Sequence, residues 1–178
     1  MDEFLIKLSY RYVSKKCKLT WQEIIFAIQC NIFTPYSAVE HGVSLLLADE
    51  EYSGSLCELA SLSEEESLLN NGSMVYPLVD DLIASEEKQR LDFIRSKWLY
   101  LTLLWVYENK DRYNDPLEIV DEVYADFDYP RSIEAFVTYM YSDESDIENK
   151  ERTTNHLYEK WSMYLQNQSK IFDGTSGD

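Results

Sequence analysis

Turn-forming residues are scarce in this sequence, whose 178 residues include five glycines and four prolines. Sheet proteins need many such residues, because tight turns join their short strands. Strand-like alternation is limited to one weak candidate, Leu5 to Val13. A β-sandwich or barrel is therefore excluded. Neither GxGxxG nor GxxxxGKS/T occurs, so no loop is built to cradle a phosphate.

Cysteine is scarce too, with three residues and no CxxC spacing. This pattern argues against a disulfide framework or a zinc knuckle and favours reduced, cytosolic thiols. A nucleophilic cysteine needs a nearby base and a positive field. Cys30 and Cys57 lie in a stretch without cations and are predicted to pack in the core. Cys17 is flanked by lysines but has no identifiable histidine partner, so we interpret it as an incidental thiol.

The two histidines, His41 and His156, stand in no metal-binding array such as HExxH. His156 and Glu159 share a helix face and could form one arm of a carboxylate-bridged metal site, which also needs a second arm and two further glutamates. A solvated helix face is the favoured interpretation. No serine lies in GxSxG. The sequence therefore predicts no catalytic residue, no cofactor and no metal site.

Long apolar runs are missing. The most apolar stretch, Trp98 to Tyr107, has about half of the roughly 20 residues that a membrane-spanning helix needs, and it is predicted to be a buried helix. Residues 1–20 contain no apolar run followed by a small-residue cleavage site. No signal peptide is expected, and the protein is predicted to be cytoplasmic.

Basic residues are half as frequent as acidic ones, 16 against 33, which gives a net charge of −17. The charge disfavours nucleic acid and anionic membranes as partners, because binding to either requires clustered lysine and arginine. Residues 19–87 hold 13 acidic residues and no lysine or arginine, and residues 114–151 hold 12 acidic and two basic residues. Each segment must either face basic residues of the same chain or present a negative surface to a partner.

Helical signals recur along the chain. Thr20 and Glu23 form a capping box, and Asp115-Pro116 combines a cap with proline at the first helical position. Ser85 is predicted to cap the longest helix, which reaches about Lys110 and is apolar nearly all round. Further helices are predicted from Pro35, Ser53, Ser63 and Val75, from Tyr129-Pro130 to about Met140, and from Glu151 to Ile171. The expected fold is all-α, a compact array of roughly eight to ten helices around the central apolar helix (about 86–110). A single domain is expected over 1–172, with a disordered tail at 173–178.

The segment from Tyr124 to Pro130, which we call the knuckle, alternates aromatic and carboxylate side chains. On a structural interpretation, Phe127 and one tyrosine pack inward while Asp126 and Asp128 cap the next helix. On a functional interpretation, the knuckle docks a basic partner, because exposed tyrosine supplies contact area at low entropy cost. The candidate partner-binding residues are Tyr113, Asp115, Glu118, Asp121, Glu122, Tyr124, Asp126, Asp128 and Tyr129, with Trp98 as a further anchor if exposed.

The sequence from Lys97 to Met140 includes KWLYLTLLWVYENKDRYNDPLEIVDEVYADFDYP and IEAFVTYM. It resembles a bacterial family catalogued as domain of unknown function 2247, and LTWQEIIFAIQCNIF resembles the N-terminal helix of that family. The resemblance covers most of residues 19–141 and implies no catalytic residue. It implies a small acidic protein of the kind encoded beside polymorphic toxins.

The predicted function is therefore protein binding. The leading hypothesis is an immunity protein that neutralises a cognate bacterial toxin by occluding its active site, with a basic toxin domain as partner. An acidic helical protein could fill the basic cleft of a nuclease toxin as a phosphate mimic. An adaptor or regulatory protein with another partner is the alternative, and an uncharacterised enzyme with a carboxylate metal site is the second alternative.

Overall fold

The structure, a computed structural model, describes residues 4–48, 52–138 and 147–173. Within these ranges the regular structure is helical and no strand occurs, which confirms the all-α prediction. The α-helices are α1 (Tyr10–Val13), α2 (Trp21–Gln29), α3 (Tyr36–Ala48), α4 (Gly54–Ser61), α5 (Glu64–Leu68), α6 (Val75–Ile83), α7 (Leu91–Glu108), α8 (Pro116–Asp126) and α9 (Ile147–Phe172). Short 3-10 helices cover Leu69–Asn71, Lys110–Arg112 and Arg131–Phe136.

The chain divides into two units, Met1–Ile94 and Arg95–Asp178. Helices α1 to α6 belong to the first unit, and α8 and α9 belong to the second. Helix α7 begins in the first unit and continues into the second. The single domain over 1–172 stays a prediction.

The weak strand candidate, Leu5 to Val13, is not a strand: Tyr10–Val13 is α1, and residues 4–8 form a segment without regular secondary structure that leads into this helix. Phe4, Ile6 and Leu8 are buried while the residues between them are exposed. The backbone N–H of Leu8 donates to the carbonyl of Ile32 at 2.9 Å. Ser9 then caps α1, because its hydroxyl accepts the N–H of Tyr12. The alternation therefore reflects a segment with one buried side, which ends at the cap of α1.

The backbone N–H groups at the start of helix α2 all have hydrogen-bond acceptors from residue 20 to residue 23. Four backbone N–H groups at a helix N-terminus have no partner within the helix. The Thr20 hydroxyl accepts the N–H of Glu23 at 3.2 Å, and the Glu23 carboxylate accepts the N–H of Thr20 at 3.0 Å. The Glu86 carboxylate accepts the two N–H groups between them, from Trp21 at 2.7 Å and Gln22 at 3.1 Å. The capping box is confirmed, and Glu86 completes it from the connector between α6 and α7.

This role of Glu86 corrects the predicted start of α7. Ser85 was expected to cap a helix from there to about Lys110, but α7 begins at Leu91. The Gln22 side chain holds the intervening connector, since it donates to the carbonyl of Glu87 at 2.8 Å and accepts the N–H of Gln89 at 3.0 Å. These contacts keep the connector out of the helix. The longest described helix is α9 rather than α7.

The middle of α7 is buried on every side, as its apolar sequence predicts. The seven residues at 97–103 are all buried, including Lys97 and Thr102. Its first turn differs, because Leu91 and Phe93 are exposed. No helix in the described part of the chain combines the length and apolar content that crossing a bilayer requires.

Two further predicted helices differ from the structure. Instead of a helix from Tyr129-Pro130 to about Met140, a 3-10 helix covers Arg131–Phe136, and residues 139–146 lie outside the described ranges. The N-cap of the 3-10 helix is Pro130, without a side-chain cap hydrogen bond, so neither Asp126 nor Asp128 occupies the predicted capping position.

The last helix, α9, was predicted to run from Glu151 to Ile171, but it starts earlier, at Ile147. Of the predicted disordered tail, 174–178 lie outside the described residues. Asp173 accepts a hydrogen bond from the Tyr100 hydroxyl at 2.9 Å.

The Asn70-Asn71-Gly72 break between α5 and α6 is confirmed. All three residues adopt the left-handed conformation, with φ of 47°, 55° and 86°. Glycine tolerates this conformation without strain, and asparagine tolerates it better than most residues. A Cβ atom at position 72 would lie 3.0 Å from the ring of Pro35, so glycine also allows the turn to approach the start of α3.

Candidate partner-binding surface

Helix α8 carries the acidic surface of the second unit. Leu117, Val120 and Val123 recur at helical spacing and are buried, while Glu118 and Glu122 lie one turn apart on the exposed side. Residues 114–138 contain seven acidic residues and one basic residue, Arg131. The exposed side of α8 is therefore strongly negative.

Two carboxylates of α8 have structural roles. Asp115 caps the helix, because its side chain accepts the N–H of Leu117 at 3.0 Å. Asp121 accepts the backbone N–H of Thr138 at 2.9 Å and also its hydroxyl. Asp121 thereby attaches the chain after the 3-10 helix to α8. Its half-buried carboxylate is engaged within the fold, unlike the exposed Glu122 beside it.

The knuckle is a tight reversal at the end of α8. The N–H of Asp128 donates to the carbonyl of Ala125 at 3.0 Å, and the N–H of Tyr129 donates to that of Tyr124 at 2.9 Å. Asp128 and Tyr129 both have positive φ, 63° and 55°. Left-handed backbone is uncommon in residues other than glycine, and strongly so for a bulky tyrosine. Arg95 donates to the carbonyl of Phe127 at 3.3 Å, which supports the reversal from α7.

Two tyrosines of the knuckle pack edge to face. The rings of Tyr124 and Tyr129 lie 5.2 Å apart at 85°. Tyr124 is buried, and its hydroxyl donates to the Glu134 carboxylate at 3.5 Å. Burial, followed by the charge of Glu134, raises the pKa of Tyr124. Tyr129 is 58% exposed. The structural interpretation of the knuckle is thus correct for Phe127 and one tyrosine, and the second tyrosine faces solvent.

The predicted partner-binding residues divide by exposure. Tyr124 is buried, and the possible anchor Trp98 lies fully within the core. Tyr113, Asp121 and Asp126 are half-buried. The exposed members are Asp115, Glu118, Glu122, Asp128 and Tyr129. The structure therefore narrows the candidate surface to α8 and the tip of the knuckle.

A second cluster with polar side chains lies inside the first unit. The Tyr10 hydroxyl is 3.0 Å from Nδ1 of His41 and 2.8 Å from the Ser44 hydroxyl, and the Trp21 ring meets the imidazole at 4.6 Å between centroids. Burial lowers the pKa of His41 to about 4, and burial also raises the pKa of Tyr10. A neutral imidazole held by a tyrosine hydroxyl and flanked by aromatic rings is a satisfied core histidine.

The histidine–glutamate pair and the three cysteines considered from the sequence lie in the following surroundings. Nδ1 of His156 lies 3.9 Å from the Glu159 carboxylate, and both side chains are exposed. Among the described residues, no group of three or more histidine, cysteine, aspartate or glutamate side chains could hold a metal ion. All three cysteines are free thiols. Cys17 and Cys30 are buried, and Cys57 is half-buried.

The described residues define an all-α protein with an acidic candidate surface on α8. The chain matches the family described as DUF2247, uncharacterized protein conserved in bacteria, over residues 10–169. Because the match covers most of the chain, the protein belongs to this bacterial family. No curated protein and no solved structure matches the chain.

Proposed function

We propose that this protein binds a basic partner protein through the exposed side of α8 and the knuckle. The observation that carries the proposal is Tyr129, an exposed aromatic ring held on left-handed backbone and packed against the buried Tyr124 ring. Tyrosine is enriched among the residues that dominate binding energy at protein interfaces. A ring that is already positioned loses little conformational entropy on binding.

The exposed carboxylates of α8 and the knuckle indicate a partner with a positive charge. Asp128 is adjacent to it, and Glu118 and Glu122 are exposed along α8. Complementary charge accelerates encounter, with association rate constants up to about 10⁸–10⁹ M⁻¹s⁻¹ at low salt. An arginine-rich or lysine-rich surface is the chemistry that fits, because arginine pairs with carboxylates and also stacks on aromatic rings.

Within this role, we propose an immunity protein that occludes the active site of a bacterial toxin. An acidic helical face with one aromatic anchor is suited to fill a basic cleft that normally binds phosphates. The family's resemblance to proteins encoded beside polymorphic toxins supports this choice over a general adaptor. An adaptor would use the same surface on a basic partner that is not toxic.

Co-expression with the product of the adjacent gene tests the immunity role. If that product arrests growth, the wild-type protein is expected to restore growth, while Tyr129→Ala combined with Glu118→Lys and Glu122→Lys is expected to fail. Met163→Ala, which alters an exposed apolar residue on α9, is the matched control. An adjacent gene whose product is harmless, or full protection by the triple variant, would refute the immunity role at this surface.

Ionic strength tests the mechanism of capture with the purified pair. The Debye length falls from about 10 Å at 0.1 M to about 3 Å at 1 M salt, so a charge-steered association slows steeply over that range. Stopped-flow measurement should show the decrease for the wild-type protein and a smaller one for Glu118→Lys. An association rate that does not change with salt concentration would show that an apolar contact drives binding.

A further inference from the structure

Helix α3 in the first unit has two exposed apolar residues on one side. Val43 and Leu47 lie one turn apart on one face of the helix and are 37% and 84% exposed. The opposite faces of α3 are occupied. Gly42 lies against Leu56 of α4, and His41 packs on the ring of Trp21.

Helix α5 adds exposed apolar surface beside α3. Helices α3 and α5 pack against each other. Burial, and after it the nearby carboxylate of Glu64, raises the pKa of Glu40. Glu40 lies one turn before Val43 on α3. Leu68 lies one turn after Glu64 on α5 and is exposed, as is Leu69. The packed pair of helices thus forms a surface that carries four exposed apolar residues, Val43, Leu47, Leu68 and Leu69, together with Glu40 and Glu64. We call it the α3–α5 surface.

The charge of this surface has one sign. Residues 19–87 contain no lysine or arginine, so every charged residue contributed by α3 to α6 is a carboxylate. In the described part of the chain, no ion pair involves Glu40 or Glu64, and residues 49–51 are themselves acidic. The two carboxylates therefore repel each other, and no ion pair among the described residues offsets the repulsion. A cation supplied from outside would relieve it.

The same charge decides between possible occupants. A symmetric contact between two copies of this chain would bring like carboxylates together, which is destabilising. An amphipathic helix with basic flanks suits both features, because its apolar side covers leucine and valine while its lysines or arginines meet the glutamates. We propose that the α3–α5 surface docks a basic amphipathic helix of a partner protein. This proposal uses residues of the first unit only and does not depend on the proposed role of the knuckle.

Titration of the full-length protein with a synthetic peptide tests the proposal. The probe is a 14-residue peptide of leucine and lysine with its leucines at helical spacing, and a scrambled peptide of the same composition controls for charge alone. The wild-type protein is expected to bind the amphipathic peptide at least tenfold more tightly than the scrambled one. Amide chemical-shift changes should centre on α3 and α5.

Variants locate the binding site. The double variant Val43→Ser with Leu47→Ser is expected to bind the amphipathic peptide at least tenfold more weakly. Leu91→Ser, which alters an exposed leucine on α7, should leave the affinity unchanged. Glu118→Lys on α8 should also leave this binding unchanged, because that residue belongs to the other proposed site. A loss caused by Glu118→Lys, together with unchanged binding by the Val43 and Leu47 variant, would overturn the proposal.

Substitution of Glu64 should change the stability of the free protein as well as its affinity for the peptide. Glu64→Gln should weaken peptide binding several-fold and also make the free protein more stable than Glu65→Gln does in urea unfolding. Both variants lose a carboxylate in the first turn of α5, so their difference isolates the repulsion from Glu40. Equal affinity and equal stability for the two variants would refute the role of the glutamate pair. Equal binding of both peptides by the wild-type protein would refute the docking site.

Discussion

Removing the Glu86 carboxylate should destabilise the protein far more than removing its neighbour. Glu86 accepts the backbone N–H groups of Trp21 and Gln22, and Glu87 is an exposed residue that contributes only its carbonyl to Gln22. The two positions are therefore a matched pair. Both substitutions remove one negative charge, but one of them leaves two helix donors without their acceptor.

The magnitude follows from those contacts. A hydrogen bond to a charged group contributes about 1.5–3 kcal/mol, and a negative charge at a helix N-terminus adds about 0.3–1 kcal/mol. These contributions overlap, and water can partly replace the carboxylate. We therefore expect Glu86→Ala to lower the free energy of unfolding by about 2–3 kcal/mol. Glu87→Ala should change it by less than about 0.5 kcal/mol, as is usual for exposed positions.

Urea unfolding followed by tryptophan fluorescence measures this difference, and Trp21 itself reports on the start of α2. For a protein of this size, each kcal/mol corresponds to about 2–4 °C in Tm, so Glu86→Ala should lower Tm by about 4–12 °C. Glu86→Gln should fall between the two alanine variants, because the amide keeps one acceptor and loses the charge. Equal losses for Glu86→Ala and Glu87→Ala would refute the capping role.

Two further predictions concern side chains inside the fold. The pKa of His41 is about 4 in the folded state and 6.5 when unfolded, so the unfolded state binds more protons between these values. Stability should therefore fall by about 3 kcal/mol as the pH decreases from 6.5 to 4. His41→Asn should flatten this part of the urea-unfolding profile, and a similar flattening by His156→Asn would contradict the assignment. Asp121→Ala should cost about 1.5–3 kcal/mol because Thr138 loses its acceptor, while Glu122→Ala should cost less than about 0.5 kcal/mol. Urea midpoints that are equal for these two variants would show that Asp121 does not hold the chain.

The candidate surface was only partly predictable from sequence. Glu118 and Glu122 face solvent, as the helical period of α8 indicates. The sequence alone did not show that the adjacent Asp121 binds Thr138, because that contact depends on the path of the chain after the 3-10 helix. The sequence also did not show which tyrosine of the knuckle is exposed. In the structure Tyr124 is buried and Tyr129 is exposed.

The sequence by itself determined the local features of this protein. The scarcity of glycine and proline, the helical periods and the caps at Thr20 and Asp115 identify the helical class and the starts of α2 and α8, because those signals act within one or two turns. The net charge and the cation-free segment also follow from composition alone. These features define an acidic helical protein.

Only the tertiary structure decided which groups meet across long stretches of chain. Glu86 caps α2 from 65 residues away, and this contact moves the start of α7 to Leu91. Burial lowers the pKa of His41, whose imidazole lies against Tyr10 and Trp21, two residues distant from it in sequence. Helix signals set local conformation, whereas burial and long-range hydrogen bonds select which carboxylates and aromatic rings remain available to a partner.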